Sequence, residues 1–291
     1  LRRKVQHDAE TESNPGFHGD PLERKETMQN ALREALKKLV KEHTQDDSIR
    51  TAWGEPLLGF ADAGDPLFQR LKEVVRPSHA LPPDLLPNAR TVVAYFIPFH
   101  KDIPKSNRKD RYASKAWAIA YIETNQLIRE VNRHLATLLA GEGFRSADLP
   151  PTHNFDTDQL MSDWSHKHVG YIAGIGTFGM HHLLITEKGC CGRLGSLVTA
   201  AEIPPTERPR YEYCLFKYNG SCRVCAPRCP VEAFHDDSFA RHKCYDLLLK
   251  NAAIYQDEGL ADVCGKCSTI VPCSFLNPVK KLKKGERKAA P

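Results

Sequence analysis

The sequence predicts a mixed α/β protein with a main α/β domain at 23–205 and a small cysteine-rich domain at 206–279. Three observations predict it. Thr91–Ile97 reads Thr-Val-Val-Ala-Tyr-Phe-Ile, β-branched, aromatic and apolar on both faces, as a central strand must be. A long stretch from about Ser114 to Leu139 repeats Trp117, Tyr121, Thr124, Ile128, Val131, Leu135 and Leu138 at steps of three and four, one face of a helix. Eight of the ten cysteines fall in the sixty residues Cys214–Cys273.

Taken in order, residues 1–22 are polar and irregular and are expected to form a flexible arm. Met28, Leu32, Ala35 and Leu39 then recur on one helical face between Glu23 and about Lys41. Trp53–Ala61 predicts a short strand. Asp65-Pro66 opens a helix with Pro66 at its first position and Phe68, Leu71 and Val75 turned inward. Leu81–Asn88 is proline-rich and expected to be extended. Pro98 is expected to end the central strand. Lys101, Lys105, Arg108, Lys109 and Arg111 make the following loop basic, either a solvated loop or a phosphate contact.

After the long helix, a second helix is expected to carry Asp158, Leu160, Met161, Trp164, His168 and Tyr171. Gly174, Gly176 and Gly179 lie within six residues, so the backbone there is pressed against something or takes unusual dihedrals. Leu183–Thr186 and Leu197–Thr199 are expected to pair as strands joined through Gly189-Cys190-Cys191-Gly192-Arg193. Pro204-Pro205 and Pro209 link to the cysteine-rich domain, and a basic tail, 280–291, closes the chain.

The composition, 41% hydrophobic and 26% charged with a formal net charge of +5, is that of a soluble globular protein. The mild positive excess fits an acidic partner without requiring one. No apolar run approaches the ~18 residues of a membrane span. Arg2-Arg3 is followed by polar residues, so no export signal is read, and the cytoplasm is the expected compartment.

The cysteines carry the chemistry. Cys222-x2-Cys225-x3-Cys229-Pro230 matches the tail of the bacterial ferredoxin run, in which the cysteine before proline crosses to the other cluster. Cys264-x2-Cys267-x5-Cys273 is a looser copy. By that rule Cys214, Cys222, Cys225 and Cys273 are expected to hold one 4Fe–4S cluster, and Cys229, Cys244, Cys264 and Cys267 a second. Asn219 stands where the usual first cysteine would, so Cys214 must arrive through the loop Leu215–Ser221. Paired structural zinc sites are the alternative, and Cys-x3-Cys-Pro argues against them. A disulfide framework does not suit a chain with this much core and no secretory signal.

His153, His166, His168, His181 and His182 fall around the glycine segment; singly each reads as a surface or satisfied core histidine, and as a group they are consistent with a polar pocket in which one could serve as a ligand or proton donor. His166 and His168, two apart, point to different sides of a helix. Cys190 and Cys191 are either small turn residues or a redox-active thiol.

Together these pieces resemble the epoxyqueuosine reductases and, more distantly, the reductive dehalogenases. The resemblance runs from about Trp53 to Pro278. It rests on the cysteine set, Ala-Gly-Ile-Gly-Thr-Phe-Gly (173–179), the Leu-Ile-Thr and Gly-Ser-Leu-Val-Thr segments (184–199), and Val-Pro-Cys-Ser-Phe-Leu-Asn-Pro (271–278). It implies a nitroreductase-like α/β core holding cobalamin and a ferredoxin-like domain with two 4Fe–4S clusters. It implies reduction of an epoxide in a tRNA wobble nucleoside, or of a small-molecule substrate, with electrons from a flavodoxin- or ferredoxin-type protein. It places a proton-donating carboxylic acid at Asp158 or Asp156, and cofactor contacts at Gly174, Gly176, Phe178, Gly179, His166 and His168. Met180 replaces the family's lysine, Cys190-Cys191 stands where the family has Gly-Ser-Trp, and the family's C-terminal helical repeats find no match. Two other readings remain: a ferredoxin-type carrier docking a partner enzyme, and a tRNA-binding module using Lys101–Arg111 and Lys280–Lys288.

Overall fold

The computed structural model describes residues 21–152, 155–235 and 238–289. Most of the expected arm, His153 and the last two residues lie outside the described residues. Helix α1 (Pro21–Thr44) buries Leu32, Leu36 and Val40, with the expected Ala35 and Leu39 on the flank of that face. Strand β1 (Leu57–Asp62) follows. Helix α2 (Pro66–Val74) starts as its sequence dictates: the Asp65 carboxylate accepts the Leu67 N–H at 3.0 Å and Pro66 takes the first turn. A one-turn helix α3 (Pro82–Leu85) leads to β2 (Thr91–Pro98), and α4 (Asp102–Ser106) to the long α5 (Lys115–Gly141), whose Trp117 N–H is accepted by Ser114 Oγ.

Four short strands follow: β3 (Ser146–Ala147), the hairpin β4 (Phe155–Asp156) and β5 (Met161–Ser162), and, after α6 (His166–Ile172), β6 (Gly176–Phe178). Strand β7 (Leu184–Thr186) and the long β8 (Gly192–Thr199) complete the main part. Beyond it lie α7 (Leu215–Asn219), α8 (Arg241–Ile254) and α9 (Pro278–Ala289).

The central sheet runs β1-β2-β8-β3, antiparallel throughout. Strand β2 is buried along its whole length, as an element apolar on both faces must be. Val93, Tyr95 and Ile97 pack on the side of α1 and α5; Val92, Ala94 and Phe96 pack on the side of α2 and α6. The molecule is therefore three layers, helices on either face of an antiparallel sheet. Register is set by size as well as pattern. Gly195 faces Tyr95 across the ladder, and a Cβ at Gly195 would lie 2.4 Å from the Tyr95 ring. Tyr95 then reaches α5, where its hydroxyl donates to Asn132 Oδ1 at 2.7 Å, and Asn132 Nδ2 donates to Asp148 Oδ1 at 2.7 Å.

The cysteine-rich part is fastened to this core by polar side chains rather than by a sheet. Lys266 Nζ donates to the carbonyl oxygens of Asn107 and Lys109. Asn107, fully buried, donates to the Cys264 carbonyl at 2.8 Å. Asn251 of α8 donates to the Val263 carbonyl and accepts the Ala113 N–H. Each satisfies backbone groups that irregular loops would otherwise bury unpaired.

The structure corrects four local expectations. The helix expected through Asp158–Tyr171 is a hairpin followed by α6, because Leu160 turns at φ +53 and Asp156 caps the turn instead. Leu184–Thr186 pairs with β6, not with Leu197–Thr199, which belongs to the central sheet. Leu81–Asn88 contains a helical turn, started by Pro82 and Pro83 where a proline has no N–H to lose. Strand β2 continues through Pro98, and the Pro98 carbonyl accepts from Gly54 N at 2.8 Å.

Replacing Tyr95 by Phe removes one buried donor and leaves Asn132 Oδ1 short of a partner. We expect Tyr95→Phe to cost about 1–2 kcal/mol. Thermal unfolding should then fall by roughly 2–6 °C, read by circular dichroism; an unchanged midpoint would remove this hydrogen bond from the stability of the core.

Candidate metal centre

All ten cysteines are free thiols. Eight of them stand in two groups. Cys214, Cys222, Cys225 and Cys273 surround one small cavity, together with Met180, His181 and Pro278. Cys229, Cys244, Cys264 and Cys267 line a second cavity of about 480 Å³. Both groups draw on both cysteine runs. Cys229, two turns of loop beyond Cys225, stands with the later cysteines, and Cys273 stands with the earlier ones. Pro230 and the Cys229–Ala233 turn, where the Ala233 N–H donates to Cys229 Sγ at 3.3 Å, aim that sulfur away from its own run.

Local structure delivers each thiol. Cys214 caps α7, which Gly220 ends in a left-handed conformation, and the chain turns back into Cys222. Cys244 projects from the first half of α8. Gly265, at φ +71, lies against the Trp117 indole, where a Cβ would be 2.1 Å from the ring. The Cys264–Cys267 loop can approach α5 that closely only as glycine.

Burial and neighbouring sulfurs raise thiols in both groups. Burial, then the neighbouring Cys273, Cys214 and Cys222, push the Cys225 thiol up to about 12. Burial, then Cys264 and Cys229, push Cys244 up to about 12. Cys267 is driven up by burial and by Cys264, Cys244, Cys229 and Cys225, so the two groups adjoin through Cys225 and Cys267. Cys273 behaves oppositely. It is held down at about 5 by a hydrogen bond from Cys190 and another from His181, against its own burial.

The larger cavity is walled by Phe96, Phe99, Trp117, Tyr121 and Leu194, with Lys167, Arg193 and Arg241 among its cations. Trp117 Nε1 is buried without a hydrogen-bond partner among the described residues. Its ring lies against the Cys264–Cys267 loop, so a sulfur or other acceptor bound there would satisfy it. Asp262, buried in the same wall, accepts from the Tyr121 hydroxyl at 2.7 Å. The Arg193 guanidinium lies 4.3 Å over the Tyr121 ring. Burial pushes the Tyr121 phenol up and the Lys167 ammonium down.

Of the other residues singled out in the sequence, His181, His182 and Cys190 reach that cavity, while Gly174, Gly176, Gly179, Phe178, His166, His168, Asp156 and Asp158 do not. Gly176 is close-packed against its own hairpin, where a Cβ would be 2.0 Å from the Ile185 carbonyl oxygen. Gly174, at φ +74, abuts the Glu207 carbonyl. Gly179 makes room for the His181 imidazole, 2.5 Å from where a Cβ would stand. Phe178 packs on His168 and Tyr171. His166 is a satisfied core histidine: its Nε2 donates to the Pro150 carbonyl and its Nδ1 accepts from Ser196 Oγ, both at 2.9 Å. His168 bonds Ser165 Oγ at 2.7 Å. Asp156 accepts from the backbone N–H of Gln159 and Asp158, which hold its carboxyl below the usual range. Asp158 is exposed on that turn, and its carbonyl accepts from His242. Phe155 and Leu160, on either side, do reach the cavity, so the hairpin forms its rim.

Sequence reasoning missed Tyr121, Trp117 and Asp262. The first two fall on the apolar stripe of α5 and read as core. Asp262 had one usable signal, its place two residues before Cys264.

No protein-family model matches the chain, and a comparison with curated proteins finds no match. Solved structures do share its fold. Epoxyqueuosine reductase from Bacillus subtilis aligns at a TM-score of 0.50 and 19% identity, over 83% of this chain and 66% of that one. An epoxyqueuosine reductase bound to a tRNA-Tyr stem loop modified with epoxyqueuosine aligns at 0.50 and 20% identity, with the same coverage. The catabolic reductive dehalogenase NpRdhA aligns at 0.53 and 11% identity, over 90% of this chain and 40% of that one. At such identities the likeness is one of fold, and this chain spans about two thirds of the epoxyqueuosine reductase chains it matches. Among the described residues no helix is long and apolar enough to cross a membrane.

Burial holds His166 down at about 4 and His168 at about 3. Both stay neutral in the folded chain while the unfolded chain takes up protons near pH 6.5. Their contribution to stability is therefore full above about pH 6.5 and is lost as pH falls from there toward about 4 for His166 and about 3 for His168. Stability measured across this window should decline with acid, and the His166→Gln, His168→Gln pair should flatten the decline. An equally steep decline in that variant would assign it to other groups.

Proposed function

We propose that the chain is an iron–sulfur oxidoreductase, with a ferredoxin-like part carrying two 4Fe–4S clusters beside a nitroreductase-like core. One observation carries the reading: eight free thiols fall into two adjoining groups of four, each drawn from both cysteine runs, and one group opens into an aromatic cavity. The donor set suits iron–sulfur cages. The thiols are soft and fourfold, and the unpartnered Trp117 N–H stands beside the second group. Cys214, Cys222, Cys225 and Cys273 would hold the first cluster; Cys229, Cys244, Cys264 and Cys267 would hold the second. Electrons from a flavodoxin- or ferredoxin-type protein enter at the first and pass to the second, which borders the cavity.

The cavity suits a flat conjugated group. Its wall is aromatic on one side and carries Lys167, Arg193 and Arg241 for a phosphate-bearing tail. Cobalamin is the cofactor proposed, and Phe96, Phe99 and Tyr121 would help hold it. Bound there, it would supply a low-potential centre able to act on a carbon–oxygen bond. The chain's own part is to exclude water, orient the substrate and hold protons. Tyr121 Oη, which donates to Asp262 Oδ1 at 2.7 Å, is the proton-holding group inside the cavity, with Asp262 as its acceptor. Asp156 and Asp158 stand at the rim, where closure of the hairpin would carry them inward. The substrate class is an epoxide of the epoxyqueuosine type, on tRNA or as a small molecule. Two electrons and two protons remove its oxygen as water and leave the alkene. The shared fold of the epoxyqueuosine reductases supports this choice.

Purified without oxygen, the chain should be brown and carry about eight irons; zinc in their place would end the cluster reading. Cys229→Ala should lose the cluster otherwise held by Cys244, Cys264 and Cys267 and keep about four irons. Loss of the other cluster instead would overturn the ligand map. Titration with cob(II)alamin should change the absorption spectrum at one equivalent, and a loaded protein that ignores cobalamin would favour a ferredoxin-type carrier. Asp262→Asn and Tyr121→Phe should each slow turnover of an epoxyqueuosine-modified stem loop by about 10²–10⁴ with iron content intact. If Asp158→Asn does so and Asp262→Asn does not, the proton donor lies on the hairpin.

A further inference from the structure

We propose that His181 and Cys190 are a pair of hydrogen-bond donors to the Cys273 sulfur, and that they set the reduction potential of the cluster held by Cys214, Cys222, Cys225 and Cys273. The inference rests on the cluster reading above and adds to it two residues that belong to neither group of four.

The three side chains converge in the interior. His181 Nδ1 or Nε2, Cys190 Sγ and Cys273 Sγ all lie within 4.8 Å of one another, and His181 and Cys190 are buried. The tautomer of His181 follows from its neighbours. The Leu183 backbone N–H donates to Nδ1 at 3.2 Å, so Nδ1 is the acceptor and Nε2 carries the proton. That Nε2–H lies 3.4 Å from Cys273 Sγ. Gly179 holds the ring in place, because any side chain there would displace the imidazole.

Cys190 is delivered just as firmly. Its backbone N–H donates to the Cys273 carbonyl at 3.0 Å, and the next N–H, of Cys191, donates to the Ser274 carbonyl at 3.2 Å. Gly189 permits this pairing: at φ +84, a Cβ on it would stand 2.3 Å from the Ser274 carbonyl oxygen. Cys191 Sγ donates to the Ser268 carbonyl at 3.1 Å, and Cys190 Sγ, 4.0 Å from the same carbonyl, stays within 4.8 Å of Cys273 Sγ.

Donors to a ligand sulfur stabilise the more negative, reduced cluster and so raise its potential. His181 lines both cavities and Cys190 the larger one, so His181 stands on the wall between the two groups of thiols.

The test is a potentiometric titration of the whole anaerobic chain, followed by electron paramagnetic resonance, with the two cluster signals read separately. The signal missing from Cys214→Ala identifies the first cluster. Cys190→Ala and His181→Phe should each shift that cluster's reduced-to-oxidised ratio about fivefold toward oxidised at a fixed potential. The second cluster should not move, and iron content should stay at the wild-type value. Cys190→Ser and His181→Gln, which keep a donor, should recover most of the shift and guard against a folding defect. Full iron with an unmoved midpoint in Cys190→Ala and His181→Phe would overturn the donor pair while leaving the cluster reading intact. Loss of the first cluster's iron in either variant would also overturn it, by making that residue a ligand. A wild-type chain without iron would sink the underlying cluster reading itself.

Discussion

Crowded, buried sulfur is the constraint on which the rest of this structure depends. A single buried thiol is an inert apolar group. Several brought near one another are not, because neighbouring thiols add to burial in raising Cys225 and Cys267. The chain accepts this conflict twice in adjoining places. It spends much of its polar inventory holding the loops that cause it. Lys266, Asn107 and Asn251 are buried side chains that supply hydrogen bonds to loop carbonyls where no sheet is available. They fasten irregular backbone to a rigid three-layer core, and that core is what gives the sulfurs fixed positions.

The core itself was legible because it obeys local rules. The apolar pattern of Thr91–Ile97 has only one comfortable place, the middle of a covered sheet, and the three–four repeat of α5 has only one buried face. The cysteine groups were legible through spacing. The hairpin before α6 was not, since its turn depends on Leu160 adopting a left-handed conformation that its residue type does not advertise. The pairing of β6 with β7 was hidden for a related reason. Three-residue strands carry too little alternation to name their partner, and the glycines that permit the contact read equally well as a ligand loop. His166 and His168 drew attention by residue type, but tertiary partners on Pro150, Ser196 and Ser165 had already used their nitrogens.

The cavity shows the reverse. Its chemistry lies in residues that looked structural. Tyr121 and Trp117 belong to the buried stripe of α5, yet at that end of the helix the stripe runs past the sheet and out under the Cys264–Cys267 loop. One helix thus packs the core with one half and walls a pocket with the other. Periodicity reports burial and is silent about what does the burying. Asp262 gains its meaning only when Tyr121 is placed beside it.

The interleaving of the two thiol groups has a consequence for how the molecule comes into being. Cys229 leaves the earlier run for the later group, and Cys273 returns from the later run to the earlier one. Neither cysteine run alone can therefore complete either group. Assembly of the proposed clusters would wait until both runs have met, a late event that would report on folding of the whole C-terminal region. Until then the chain offers only incomplete chelates, open to whatever thiophilic ion arrives first.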